Sequence, residues 1–278
     1  ALESGASGLV LAAETAIGAH PVECVRIISN FLKVVEKKPP KIDIEYLVRH
    51  PSGNIILPHG GQLVEQFIPK EVEFELSKLP VIKVNEKIES DIIQIANGTY
   101  SPLDRFMDYD ELKTVLNKNK LRNDIVWTMP ILFQVKKNLI SKVNNKEEIA
   151  LRSEITGQIF SILKLEKIEE LNNKNKIALD WFGTDDINHP GVNNFLNGGN
   201  YILSGEPFLL QDYKSAQVPS YELTPTQTRN LFSLNNWSEI IGYHTRNIPH
   251  KGHEWIHELG IKKCKNILIQ PIVGHFKK

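Results

Sequence analysis

The stretch HTRNIPHKGHEWIHELGIKK, residues 244–263, carries two signatures that overlap on His253. His250 to His253 spells HxGH, a phosphate-handling pattern, while His253 to His257 spells HExxH, the zinc-binding pattern of a metalloprotease helix. The two require different surroundings. HxGH needs a strand running into a helix start, where unpaired N–H groups and the positive end of the helix dipole favour an anion. HExxH needs a helix on which His253 and His257 share a metal with a third ligand while Glu254 activates the bound water.

The flanking residues favour the first arrangement. TPTQTRNLFSLNNW, residues 224–237, opens with a capping Thr and continues as a helix. EIIGYH (239–244) then reads as a strand, PHKGHEWIHEL (249–259) as a helix closed by Gly260, and NILIQPIVG (266–274) as a second strand. In the extended zinc pattern HExxHxxGxxH the third ligand falls on Lys263, whose ammonium offers no lone pair. His275, the remaining histidine downstream, belongs to another element, so no metal site is assigned and a zinc hydrolase is set aside. On the phosphate reading His250 and His253 sit on the first turn of a helix, with Gly252 letting a phosphate approach the backbone. Arg246 and Asn247 add donors from the preceding turn. The plain alternative is a pair of histidines capping a surface helix.

Composition limits the partners. Lys plus Arg equals Asp plus Glu, at 33 each, so no global field concentrates a polyanion and any anion site must be local. With 41% hydrophobic and 24% charged residues the chain is of ordinary globular composition. Cys24 and Cys264 form no ligand pair and read as reduced, packed thiols, which fits a cytoplasmic location. GLVLAA at 8–13 lacks a preceding basic segment and is too short to cross a bilayer; it reads as a buried strand, and no membrane association is expected.

Residues 1–36 form one βα unit, with Val22, Val25, Ile28, Leu32 and Val35 along one helix face. ESGASGLVLAAETAIGAHPVECVR resembles the last strand and helix of the pyruvate kinase barrel, departing at Ala12 and Ala13. Nothing else of that family is present, so this segment implies no kinase activity and reads as a leader within something longer. Residues 37–57, with Pro39-Pro40, form a linker. Residues 58–215 read as a β-rich domain: PVIKVNEKI and WTMPILFQVKKNLI alternate, and EIALRSEITGQIFSILKLEKI reads as two strands about a Thr-Gly turn. EELNNKNK reads as a solvated helix end. Its mixed charges, and the lack of a basic stripe with interleaved aromatics, argue against nucleic acid. Residues 216–278 are the strand–helix–strand region.

WSEIIGYHTRNIPHKGHEWI resembles the signature segment of the ATP sulfurylase (sulfate adenylyltransferase) family, WxxVVxFQTRNPxHRAHE. PHGGQLV, ANGTYSPLDRFM, HPGVNNFLNGGNYILSG and ELTPTQTRNLF match further family segments in order over residues 58–278. The resemblance implies an α+β/α/β multidomain fold: a PUA-like β-rich domain, then the start of a Rossmann-like nucleotidyltransferase α/β domain. It implies transfer of the adenylyl group of ATP, carried with Mg2+, to sulfate, giving adenylyl sulfate and pyrophosphate. Thr245, Arg246, Asn247, His250 and His253 become the catalytic set. His244 and Arg246 become sulfate ligands, and His244, Thr245, Asn247, His250, Gly252 and His253 nucleotide ligands. A homo-oligomer is compatible with the resemblance.

Two departures shape these expectations. His244 replaces the family glutamine, keeping a hydrogen-bond donor and bringing pH dependence near neutrality. The sequence reaches PIVGHFKK, whereas the family continues to a GRDHAG-like segment that completes both pockets. The catalytic domain is therefore expected to be incomplete here, which leaves an inert fragment or a PUA-like binding module as alternatives to an active enzyme.

Overall fold

The structure, a computed structural model, describes residues 55–69, 76, 78–211, 213 and 222–271. The leader over 1–36, nearly all of the linker, Cys24 and His275 lie outside the described residues. The chain divides into two compact units, Leu57–Val218 and a second that includes residues 222–271. No helix among the described residues is long and apolar enough to cross a membrane.

Strands β1 (Phe67–Ile68), β2 (Val81–Val84), β3 (Phe133–Val135), β4 (Glu148–Ser153), β5 (Ile159–Glu170) and β6 (Tyr201–Leu210) form one mixed sheet. Its order is β1-β6-β5-β4-β2, with β3 also on β6. The hairpin expected around the Thr-Gly turn joins β4 to β5, and Gly157 there has φ +73°, a conformation glycine adopts without steric cost. β5 and β6 pair from Ser161↔Leu209 to Glu170↔Tyr201, with a bulge between Leu165 and Lys167. Opposite that bulge Gly205 has φ +152°, and a Cβ there would lie 2.0 Å from the Lys164 carbonyl oxygen. No other residue fits this close approach.

The unit is less β-rich than the alternation suggests. The strand in PVIKVNEKI ends at Val84 because the Asn85 side chain accepts the Ile88 N–H at 3.1 Å and starts helix α1 (Glu86–Ala96). Asp108 likewise caps α2 (Tyr109–Lys118) through the Glu111 N–H at 2.8 Å. In WTMPILFQVKKNLI the strand is only β3, followed at once by α3 (Lys137–Val143). EELNNKNK includes a helix end, the first residues of α4 (Lys174–Phe182), but it also holds the last residues of β5. Helix α5 (Pro190–Asn197) precedes β6.

Ile92, Ile95, Phe106, Met107, Leu151, Phe160, Leu163 and Ile202, all fully buried, form the centre of the core between the helices and the sheet. Of the buried carboxylates, Glu89 is the most enclosed. Glu89 is 2% exposed and accepts hydrogen bonds from Ser153 Oγ and Tyr213 OH, each at 2.5 Å. Ser153 Oγ also accepts the N–H groups of Ile155 and Thr156 at 3.1 Å, tying the carboxylate to the β4–β5 turn. Ser153→Ala strips a donor from Glu89 and an acceptor from that turn. It is expected to cost about 1–3 kcal/mol of stability, read from urea unfolding.

In the second unit, α6 (Pro225–Leu234) starts at Thr224 with a complete capping box: Thr224 Oγ1 accepts the Gln227 N–H, and the Gln227 side chain accepts the Thr224 N–H. Strand β7 (Ile241–Thr245), helix α7 (Lys251–Lys263) and strand β8 (Ile267–Pro271) follow. β7 and β8 pair in parallel from Ile241↔Ile267 to Thr245↔Pro271, so α7 is the crossover of a βαβ unit. Gly260 does not close α7, which continues to Lys263. A Cβ at Gly260 would meet Ile241 Cδ1 at 3.4 Å and Ile267 Cδ1 at 4.0 Å, ordinary contacts that place this point of the helix against both strands.

Candidate active site

The site residues lie along the connection from β7 to α7. His244, in register with Gln270, is exposed at the end of β7, and Thr245 beside it is buried. Thr245 Oγ1 accepts the Asn247 N–H at 3.1 Å, which turns the chain sharply after the strand. Arg246 and Asn247 project from that turn into solvent, and Gly252 is exposed on the first turn of α7.

His250 is the N-cap of α7, with φ −138° and ψ 177°. Its Nδ1 accepts the Gly252 N–H at 3.1 Å, while the His250 N–H donates to Nδ1 of His253 at 3.2 Å. The two imidazoles thus cap the helix reciprocally, in the geometry that Ser and Glu adopt in a capping box. The rings lie 4.0 Å apart, centroid to centroid. The capping alternative and the phosphate reading are therefore not exclusive. Because each Nδ1 accepts a backbone N–H, each ring when neutral carries its proton on Nε2 and has one donor left to offer.

Tyr243 supports the pair from β7, meeting His253 at 5.8 Å and His257 at 4.4 Å, both edge-on. Reasoning from the sequence missed this contact. Its signal is the alternation that puts Tyr243, two before Thr245, on one face of β7. His257 Nε2 is buried without a hydrogen-bond partner. Among the described residues no three His, Cys, Asp or Glu side chains gather into a metal-binding group, so HExxH lacks a third ligand there. Nor does a hydrogen bond among the described residues join His244 or Arg246 to the histidine pair. The structure brings His250 and His253 into contact and sets Thr245 against Asn247, while His244 and Arg246 are exposed.

Burial pushes the His253 imidazole below the ordinary histidine value of 6.5, and His250 and His257 push it further the same way. The folded pKa therefore lies below the unfolded one. The stabilisation is fully present above about pH 6.5 and is lost as the pH falls through the folded value. Protonation at Nδ1 would also break the bond from the His250 N–H. Amide hydrogen exchange at the start of α7 is expected to accelerate on acidification below pH 6.5, and His253→Gln to flatten this dependence. Exchange equally pH-sensitive in both proteins, after correction for the intrinsic rate, would refute it.

With this geometry in view, the comparisons with known proteins are informative. A PUA-like domain model matches residues 56–212, more than half of the chain, and an ATP-sulfurylase model matches residues 219–278. The chain is 34% identical over 221 residues to a sulfate adenylyltransferase of Ignicoccus hospitalis, covering 78% of this chain and 57% of that protein. It is 33% identical over 232 residues to one from Nostoc punctiforme, covering 82% of this chain and 58% of that protein. The chain thus spans a little under three-fifths of the length of these relatives. Among solved structures, one described as the hexameric APS kinase from Thiobacillus denitrificans superposes with a TM-score of 0.62 over 80% of this chain and 40% of that one. At 23% identity that likeness shows the fold alone. The match over more than half of its length places the chain in the PUA-like domain family, and residues 219–278, which hold the paired histidines, are similar to ATP-sulfurylase.

Proposed function

We propose that the chain serves sulfate activation: the β7–α7 turn holds the phosphates of ATP against sulfate while the adenylyl group is transferred. The observation that carries this reading is the reciprocal capping of His250 and His253. It uses both Nδ1 atoms and leaves both Nε2–H donors preorganised at the positive end of a helix. The βαβ unit of β7, α7 and β8 is then the beginning of a Rossmann-like nucleotidyltransferase sheet.

In the reaction a sulfate oxygen attacks the α-phosphorus of ATP, the bond from that phosphorus to the bridging oxygen breaks, and pyrophosphate leaves with the electron pair. Sulfate is already dianionic, so no general base is needed. Catalysis consists of bringing two repelling anions together and stabilising the charge that builds on the departing pyrophosphate. Arg246 and His244 bind sulfate. His250 and His253 donate to the phosphates, and Gly252 lets them approach the backbone. Asn247 positions the nucleotide and is itself fixed by the buried Thr245 hydroxyl. Mg2+ arrives on ATP as part of the substrate, which suits a turn built from neutral and cationic donors. The setting we propose is cytoplasmic.

Incubating the chain with MgATP, with and without sulfate, tests the reading. Pyrophosphate release that requires sulfate and yields adenylyl sulfate supports it. Sulfate-independent release, or none while ATP fails to bind, contradicts it.

A further inference from the structure

The edge of the mixed sheet holds a cavity of about 510 Å³, lined by Val81, Ile82, Lys83, Leu139, Lys142, Arg152 and Glu154. This lies within the range of roughly 300–1,000 Å³ typical of small-molecule sites. Three of its seven lining residues are cations and one is an anion, in a chain whose net charge is zero. Among the described residues neither Lys83 nor Lys142 forms an ion pair, and Arg152 makes only a long contact, 3.4 Å, from Nη1 to the Gly157 carbonyl.

Their placement concentrates positive charge at one recess. β2 is an edge strand and pairs in parallel with β4, with Lys83 directly in register with Arg152. Residues in register share a face, and like charges side by side on neighbouring strands destabilise a sheet. Lys142, in the last turn of α3, brings a third positive charge to the same concavity. Half-buried Val81 and Leu139 add an apolar wall. Cations gathered beside apolar side chains suit a ligand with a doubly charged head and an uncharged body.

We propose that this cavity in the PUA-like unit binds a phosphate monoester carrying an apolar group. The head charge of such a ligand offsets the net positive lining, and its ring or hydrocarbon packs on Val81 and Leu139. The site rests on the unit Leu57–Val218 alone and stands or falls independently of the sulfurylase reading. The competing explanation is that Lys83 only protects an exposed strand edge from pairing with another chain.

Backbone amide chemical shifts of the full chain, titrated with phenyl phosphate, separate the two. Saturable shifts are expected at Lys83, Lys142 and Arg152, with weaker binding of inorganic phosphate, which lacks the ring, and of phenol, which lacks the charge. Lys83→Thr with Arg152→Gln should weaken phenyl phosphate about tenfold or more, because two charge-assisted contacts are removed. His250→Ser should leave this binding unchanged. If the double variant fails to fold, Lys142→Gln on the surface of α3 gives the same readout with a smaller, roughly threefold, loss. No shifts at these residues, equal binding of inorganic phosphate, an undiminished affinity in the variants, or binding of an RNA oligonucleotide in place of phenyl phosphate would each overturn the proposal.

Discussion

Replacing His250 with alanine is expected to slow sulfate-dependent pyrophosphate release about a hundredfold, the effect of removing one preorganised donor worth about 3 kcal/mol from a developing anion. The substitution has a second consequence, because His250 Nδ1 also caps α7 through the Gly252 N–H. Loss of that cap costs about 1 kcal/mol of helix stability. His250→Ser separates the two roles: serine is a good N-cap, so stability should recover while turnover stays low. Full turnover in His250→Ser would mean that the imidazole matters only as a cap, and the assignment of His250 to the phosphates would fail. His253→Ala is expected to lower turnover to a similar degree, since it removes the second proposed phosphate donor together with the acceptor of the His250 N–H.

Phe106→Ala is the largest stability effect expected in the PUA-like unit, about 3–5 kcal/mol. Phe106 is fully buried and lies 5.2 Å from Phe133, centroid to centroid. Its N–H donates to the Gly205 carbonyl at 3.0 Å, so the ring sits where the loop before α2 crosses the bulge of β5 and β6. Close packing there leaves little room for collapse into the vacated space, which places the cost in the upper part of the range for such truncations. Denaturant unfolding followed by circular dichroism measures it. A loss under 1 kcal/mol would show that the site relaxes freely and that the packing described here is not rigid.

Much of the second unit was legible from local patterns. Thr224 announced a helix start, and the strand, helix and strand of residues 239–274 showed the change from period 2 to period 3.6 that marks a βαβ unit. The hairpin of β4 and β5 was legible because Gly157 punctuates two apolar runs. Other features depend on partners distant in sequence. Asn85 stops a strand that alternation alone would continue, because a side-chain cap outweighs a weak preference for extension. Gly260 looks like a terminator until the strands beneath it are in place. The histidine pair was found as a motif but not as a cap. Capping boxes are recognised by Ser or Thr with Glu or Gln, and nothing in the spacing alone shows that two imidazoles adopt the same geometry. Which nitrogen of each ring remains free is a consequence of that geometry, and the chemistry of the site follows from it.

Phosphorus NMR of MgATP titrated with the chain addresses the central claim most directly, because it observes the phosphates themselves. With the wild-type chain the ATP resonances should shift and broaden to saturation, and in the double variant His250→Ser with His253→Ser they should remain those of free MgATP. Resonances that respond equally to both proteins, or to neither, would contradict the assignment of this turn to the phosphates of ATP.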